Sequence, residues 1–216
     1  MINTMKNIST LIFDLDGTIS DPSTGIFSSI NHALKALGYS EVSAERVVAE
    51  IGPPIDETFK KFEPEASQAE IAELVVKYRE RYATVGYSEN EIYPGVAEVI
   101  RALRARGLRM GVCTSKRRDF AERILAMFGL LKYFSFVDGG DIGIKKQDQL
   151  AGLLKTGQID TSAVMIGDRD IDILSAKFNG LRSVGVLWGF GDRNELSLAG
   201  ANLILSTTKE IELLSI

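Results

Sequence analysis

The sequence contains little cysteine and histidine, and each scarcity narrows the possible chemistry. One cysteine, Cys113, occurs in 216 residues, so an internal disulfide framework is excluded. It lies in the apolar run LRMGVC, which predicts a buried structural thiol. The one histidine, His32, lies on the polar side of a helical pattern, which predicts an exposed side chain and argues against catalysis by a histidine pair.

The chain also lacks blocks of one charge and long apolar runs near its start. Its 25 basic and 29 acidic residues give a net charge of -4, and they are spread along the chain, so we expect no nucleic acid polymer as a partner. The apolar run Leu11 to Phe13 is too short for a signal peptide or a membrane span. We therefore expect a cytoplasmic protein with no membrane partner, either a monomer or a weak dimer.

Hydrophobic residues make up 45% of the chain, and their spacing predicts a strand followed by helices. The strand is expected over Ser9 to Phe13. Residues near 20 to 90 are predicted to be helical. The expected helices cover Ile26 to Leu37, Val42 to Ile51 and Ile55 to Phe62, and a fourth follows the capping-box pair Ser67 and Glu70.

After Tyr93-Pro94-Gly95 the pattern changes, because short β-rich apolar runs now alternate with helices. This alternation predicts a parallel sheet with crossover helices. The fold class is therefore α/β, a doubly wound parallel sheet with an inserted all-helical cap; residues 1–19 and 92–216 form the core and residues 20–91 the cap. The strands are expected at Leu108 to Cys113, Phe134 to Val137, Ala163 to Ile166, Leu181 to Leu187 and Asn202 to Leu205.

Polar residues that could take part in catalysis or binding follow several of these strands. Ligands of open parallel sheets bind beyond the carboxyl ends of the strands, so these residues are candidates for one site. Each group taken alone has an ordinary explanation as a helix cap, a turn or a solvated charge. All of them in order at successive strand ends favour function. They are Asp14 and Asp16, then Thr114 and Ser115, then the lysine pair Lys145 and Lys146, then Asp168 with Asp172 one turn later.

These residue types can fill the roles of an in-line phosphoryl transfer. The Asp14 carboxylate is a plausible nucleophile toward phosphorus, and Asp16 suits general acid-base work. Three carboxylates would repel a phosphate dianion, so the site requires a countercharge. Asp14 and Asp168 offer the hard oxygen ligands that Mg²⁺ prefers, while a lysine and the Thr114 hydroxyl would stabilise phosphoryl oxygens.

With these motifs in place, the chain resembles the haloacid dehalogenase superfamily, in its phosphoglycolate-phosphatase-like branch with a helical cap. The resemblance covers nearly the whole chain and implies a Rossmann-like core. It also implies a phosphatase that uses Mg²⁺ on a small phosphorylated metabolite, of phosphoglycolate or nucleoside monophosphate type. The matching segments are FDLDGTISDPSTGI, IGPPIDETF, IYPGV, VCTSK, VMIGDRDIDILSAKFNG, GVLWGFGDRNEL and AGANLIL.

The resemblance also implies roles for single residues. Asp14 is the nucleophile and a metal ligand, and Asp16 is the acid-base residue whose main-chain carbonyl also binds the metal. Thr114 and Ser115 form the phosphate-binding pair. The remaining protein ligand of Mg²⁺ is Asp168, with Asp172 as a supporting carboxylate.

The third motif departs from the family pattern, and the cap loop leaves the substrate open. Many relatives carry Lys-Pro-x-Pro where this chain has IKKQDQL; we favour Lys146 as the catalytic and phosphate-binding lysine and keep Lys145 as the alternative. The cap loop Gly52 to Glu57 contains no basic residue that would indicate a carboxylate-bearing substrate. A phosphosugar mutase and a non-catalytic phosphoacceptor or regulatory protein are the alternatives, whereas Asp16 argues against a dehalogenase.

Overall fold

A computed structural model describes residue 5 and residues 7–214 of the chain. Residues 1–4, 6 and 215–216, which the predicted core range includes, lie outside the described residues. The described strands, in chain order, are β1 (Thr10–Phe13), β2 (Ser20–Asp21), β3 (Glu91–Ile92), β4 (Arg109–Arg117), β5 (Val137–Gly140), β6 (Val164–Gly167), β7 (Arg182–Val186) and β8 (Leu203–Leu205).

Six of these strands form a parallel sheet in the spatial order β5-β4-β1-β6-β7-β8. Strand β1 lies in the middle, since Phe13 pairs with Val112 of β4 on one side and with Ile166 of β6 on the other. The strand order reverses between β1 and β6, which is where doubly wound sheets bind their ligands. The predicted α/β fold class is confirmed.

Helices cover the sheet and build a separate layer above its carboxyl edge. The layer contains α1 (Ser23–Ala36), α2 (Ala44–Ala49), α3 (Ile55–Phe62) and α4 (Gln68–Thr84). The core helices are α5 (Val96–Ala105), α6 (Arg118–Met127), α7 (Lys146–Lys155), α8 (Asp170–Phe178) and α9 (Arg193–Ala199). Within the part of the chain that the structure describes, none of the helices combines the length and apolar character that crossing a bilayer would need.

The helical layer forms as the sequence predicts, with its own apolar interior. Helix α4 begins at the predicted capping box, in which the Glu70 amide donates to Ser67 Oγ and the Ser67 amide donates to Glu70 Oε2. The core helix α6 adds Phe120 to the hydrophobic cluster of this layer. The predicted division at 19/20 and 91/92 stays a prediction, and the pair of β2 with β3, Ser20 with Ile92 and Asp21 with Glu91, lies across it.

Two of the predicted strands differ from the prediction. The expected strand Phe134 to Val137 is observed at Val137–Gly140, and β4 continues past its expected end at Cys113 to Arg117. The segment before β5 still runs beside β4, because the Ser135 amide donates to the Met110 carbonyl at 2.7 Å and the Val112 amide donates to the Phe136 carbonyl at 3.1 Å. The Phe136 ring fills the space beside Gly111, where a Cβ would lie 2.1 Å from the ring. The predicted apolar run therefore packs against β4, and the observed strand begins at its last residue.

The two scarce residues lie where the sequence predicts. Cys113 is fully buried in β4, and burial raises the pKa of its thiol well above the usual range. His32 is exposed on α1. The predicted burial of Cys113 and the predicted exposure of His32 are both confirmed.

Candidate active site

The loop after β1 carries Asp14 and Asp16 across the carboxyl edge of the sheet. The Asp14 amide donates to the Ile166 carbonyl at 2.9 Å, which fixes the start of the loop to β6. Gly17 adopts a φ of 80°, and a Cβ at this position would lie 2.1 Å from Oδ2 of Asp168. Only glycine therefore allows this turn to approach the aspartate that follows β6.

The structure places the two adjacent lysines at the start of α7 in different environments. Lys145 is exposed, whereas Lys146 is buried. The Lys146 ammonium lies 3.0 Å from Oδ2 of Asp14 and 2.5 Å from Oδ1 of Asp172. Burial alone would lower the lysine pKa, but the two carboxylates outweigh it and raise the pKa above its usual range. Lys146 is thus a charged group inside the site.

Three carboxylates converge beside this lysine. Oxygens of Asp14, Asp168 and Asp172 lie within 4.8 Å of one another, and all three residues are buried. Burial, followed by repulsion from Asp172 and Asp14, raises the pKa of Asp168 to about 8. Burial and Asp14 also raise the pKa of Asp172 to about 6, against the opposing effect of Lys146. One ammonium against three clustered carboxylates leaves this position short of positive charge.

Hydrogen bonds hold two of these carboxylates in fixed orientations. Asp168 accepts from Thr18 Oγ1 at 3.1 Å and from the Phe190 amide at 2.9 Å. Asp172 accepts from the Arg169 amide at 3.1 Å in addition to Lys146. Oδ1 of Asp14 is buried and has no hydrogen-bond partner among the described residues. A buried anionic oxygen without a partner fits a metal cation at this position.

Asp16 lies apart from this group of three and has its own cation. Its Oδ2 is 2.7 Å from the ammonium of Lys116, a residue that the sequence analysis did not select. Burial raises the pKa of Asp16, while the charge and hydrogen bond of Lys116 oppose that rise. Oδ1 of Asp16 is buried and, within the described part of the chain, unpartnered, so one oxygen remains available for a proton or a substrate atom.

The hydroxyl pair near the carboxyl end of β4 lies at the same edge of the sheet. Thr114 Oγ1 accepts from the Lys116 amide at 3.3 Å, and Gln149 Nε2 donates to the Thr114 carbonyl at 3.2 Å. Ser115 Oγ is buried without a partner in the described residues. Both hydroxyls border the same cavity as Asp14 and Asp16. The predicted phosphate-binding residues are therefore brought together with the predicted nucleophile.

The cavity has a volume of about 70 Å³ and is enclosed between the helical layer and the sheet. Its basic wall residues come from α4 and β4 rather than from the cap loop: they are Arg79, Lys116 and Arg117. Arg79 Nη2 lies 2.5 Å from Asp141 Oδ1, so this pair joins the helical layer to the loop after β5. A second contact joins the helical layer to the core, because the Arg169 guanidinium donates to the Ile51 carbonyl.

A parallel sheet with carboxylates and hydroxyls at the carboxyl edge of its central strands, and a buried lysine beside them, is typical of α/β enzymes that use an aspartate in catalysis. The chain belongs to the haloacid dehalogenase-like hydrolases, because that family matches residues 11–186. This match covers most of the chain and includes β1, the helical layer and β4 to β7. The family predicted from the sequence is confirmed.

Several characterised relatives span most of this chain. A 5'-nucleotidase of Pseudomonas aeruginosa is 36% identical over 86% of each chain, and a phosphoglycolate phosphatase of Agrobacterium fabrum is 32% identical over 88% of this chain and 85% of its own. The tyrosine-protein kinase PtkA of Mycobacterium tuberculosis is 34% identical over 84% of this chain and 62% of its own.

A solved structure shows the same arrangement over nearly the whole length. A predicted phosphatase from Clostridium acetobutylicum is 30% identical, and the match covers 95% of this chain and 96% of that one, with a TM-score of 0.89. The family match and the phosphatase relatives confirm the enzyme class that the sequence predicts.

Proposed function

We propose that this protein is a Mg²⁺-dependent phosphatase that hydrolyses small phosphate monoesters through a phosphoaspartyl intermediate on Asp14. The observation that carries the proposal is the environment of Asp14. One of its oxygens contacts Lys146, the other is buried without a partner among the described residues, and the side chain borders the enclosed cavity. A carboxylate in this position is oriented by an ammonium and borders the cavity, as a nucleophile must.

In the first half-reaction, an oxygen of Asp14 forms a bond to phosphorus and the bond from phosphorus to the ester oxygen breaks. Lys146 and the hydroxyls of Thr114 and Ser115 stabilise the charge on the phosphoryl oxygens. Asp16 donates its proton to the departing alkoxide, so the alcohol leaves neutral. The products of this step are an acyl phosphate on Asp14 and an ionised Asp16.

In the second half-reaction, water hydrolyses the acyl phosphate. Asp16, now ionised, accepts a proton from the attacking water, and the new bond releases inorganic phosphate from Asp14. Asp14 is restored as a carboxylate and Asp16 as an acid. The rise in the pKa of Asp16 that burial causes favours the protonated form needed to begin the cycle.

The carboxylates of Asp14 and Asp168 fit Mg²⁺, together with the main-chain carbonyl of Asp16, while Asp172 supports the site from its contact with Lys146. When bound, Mg²⁺ neutralises phosphoryl charge and keeps the nucleophilic carboxylate ionised. The fit rests on the cluster of three carboxylates, of which only Asp14 and Asp172 contact the Lys146 ammonium, and on the oxygen of Asp14 that has no partner among the described residues.

The proposed substrates are small metabolites of the phosphoglycolate or nucleoside monophosphate type. The position of the cavity beside Asp14, between the helical layer and the sheet, supports a small substrate. The names of the Pseudomonas and Agrobacterium relatives support these two chemical classes.

A substrate panel tests the proposal. Phosphoglycolate, nucleoside monophosphates, sugar phosphates and p-nitrophenyl phosphate are assayed for released phosphate with Mg²⁺ and with excess chelator. We expect release only with Mg²⁺, and intact-mass analysis of a quenched reaction to show one added phosphoryl group that Asp14→Asn lacks. Release in chelator, or a phosphoryl group on Asp14→Asn, contradicts the proposal. Transfer to a second sugar phosphate instead of water favours the mutase alternative.

A further inference from the structure

A buried network of polar side chains connects Asp16 to the helical layer. The Lys116 ammonium lies 2.7 Å from Oδ2 of Asp16 and donates to the Tyr82 hydroxyl, also at 2.7 Å. The same ammonium lies 4.6 Å from the centre of the Tyr82 ring. Tyr82 belongs to α4, whereas Asp16 and Lys116 belong to the core. A single lysine therefore bridges the proposed acid-base residue and the layer that closes over it.

The network of hydrogen bonds continues beyond Tyr82 and returns to the loop that carries Asp16. Asn90 Nδ2 donates to the Tyr82 hydroxyl at 3.2 Å, and Ser20 Oγ donates to Asn90 Oδ1 at 3.1 Å. The Ser20 carbonyl accepts from the Gly17 amide at 2.8 Å, next to Asp16. Ser20 and Asn90 lie where the chain leaves the core and where it returns. The network thus includes both crossings between the core and the helical layer.

The tyrosine ring and its hydroxyl serve different purposes. The ring stacks on Tyr78 with centres 5.2 Å apart and meets Phe120 edge-on at the same distance, which is ordinary core packing. The hydroxyl instead orients an ammonium whose side chain is only 6% exposed. A buried ammonium needs several acceptors to offset its desolvation, so the loss of one acceptor frees Lys116 to change its position relative to Asp16.

We propose that Tyr82 is a positioning residue for Asp16, acting through Lys116, so that the acid-base carboxylate is held in place only when α4 is docked on the core. The inference rests on the proposed phosphatase function. Lys116 acts as the connection, because it contacts both partners at hydrogen-bond distance. Docking of the helical layer on the core and correct placement of the Asp16 proton donor then occur together. When α4 is not docked, Asp16 is poorly placed.

Tyr82→Phe tests this coupling, because it removes the hydroxyl and keeps the ring. A displaced acid impairs substrates with poor leaving groups most, since p-nitrophenolate needs little protonation. We expect kcat to fall about 10-fold for the best alkyl phosphate and less than about 2-fold for p-nitrophenyl phosphate. Asp16→Asn sets the reference pattern, with the same direction and a larger difference between the two substrates.

Tyr78→Phe is the matched control. It removes the same atom from the stacked neighbour one turn earlier on α4, whose hydroxyl makes no recorded bond to Lys116 among the described residues. Because Tyr78 lines the cavity, we expect any effect of this variant to be equal on both substrates, without the leaving-group pattern. An equal loss on both substrates in Tyr82→Phe, or no loss, overturns the inference, and so does the same leaving-group pattern in Tyr78→Phe.

A double-mutant cycle provides the second test. Lys116→Met breaks the connection on the core side, so adding Tyr82→Phe to it should cost the alkyl phosphate rate less than about 2-fold more. A full additional 10-fold loss in the double variant shows independent roles and overturns the proposal. Wild-type turnover is the reference throughout: an inactive wild type contradicts the proposed function itself, whereas an active wild type with uncoupled variants contradicts the inference alone.

Discussion

The ammonium of Lys146 lies 3.0 Å from the carboxylate of Asp14, and neither side chain is accessible to solvent by more than 3%. The lysine begins α7 and the aspartate follows β1, so two distant segments form one ion pair. Lys146 also contacts Asp172, which ties the pair to the start of α8. Removing the lysine therefore leaves two buried carboxylates without their cation.

Substitution of the two lysines should separate their roles. We expect Lys146→Ala to reduce kcat by roughly 10² to 10³, because loss of a donor to the transferring group costs about 3 to 4 kcal/mol in a desolvated site. Lys145→Ala, at the exposed neighbour, should leave kcat unchanged and alter stability by less than about 0.5 kcal/mol. Steady-state kinetics on both variants measure the difference; the reverse order would transfer the role to Lys145.

Asp14→Asn should abolish turnover and leave the fold intact. The amide has nearly the same size as the carboxylate, but it is a poor nucleophile and a weaker metal ligand. Phosphate release and circular dichroism check the two expectations together. Activity near the wild-type rate would exclude Asp14 as the nucleophile.

Asp168→Asn should raise the Mg²⁺ concentration needed for half-maximal activity by at least about 10-fold, because it removes a charged ligand from a buried site. Asp170→Asn provides the control, since it makes the same change on an exposed carboxylate two residues away. Ca²⁺ should fail to restore activity after chelation, because its larger and looser shell misplaces the reacting groups. Metal titrations of both variants give the comparison, and equal midpoints would remove Asp168 from the metal site.

Without metal, the protein should lose stability as the pH rises from 5 to 8. Burial and the neighbouring carboxylates raise the pKa of Asp168 to about 8, against about 3.9 for an unfolded aspartate. Between these values the folded state keeps a proton that the unfolded state has lost, so the free energy of unfolding falls with increasing pH. Melting temperatures in chelator should therefore decline across this range, and less steeply for Asp168→Asn. An equal slope in both proteins contradicts the assignment.

Most candidate site residues could be predicted from the sequence, because the end of a strand is a local feature of the sequence. Asp14, Thr114 and Asp168 each follow a short apolar run, and parallel pairing of β4, β1 and β6 brings such ends to one edge. For the lysine, the sequence favoured Lys146 and kept Lys145 as the alternative, because two adjacent residues share most local signals. Burial of Lys146 and exposure of Lys145 now distinguish them.

The sequence analysis did not select Lys116, because the one local signal for this residue is weak. The residue directly follows the predicted pair Thr114 and Ser115, and that position was the available signal. Its partners, however, are Asp16 and Tyr82, one from the first loop and one from α4. Their meeting depends on how the helical layer docks on the sheet, which hydrophobic spacing does not encode.

The central position of β1 has a consequence for how the chain folds. Thr10 pairs with Arg109 and Leu11 with Val164, so the strand at the middle of the sheet finds both neighbours far along the chain. Loop closure over such separations is entropically expensive, and topologies rich in distant contacts fold slowly. The ribbon of β2 and β3 shortens the effective loop, because it holds the two ends of the helical layer side by side. Early formation of that layer would therefore speed the arrival of β1 between β4 and β6, and with it the assembly of the carboxylate cluster.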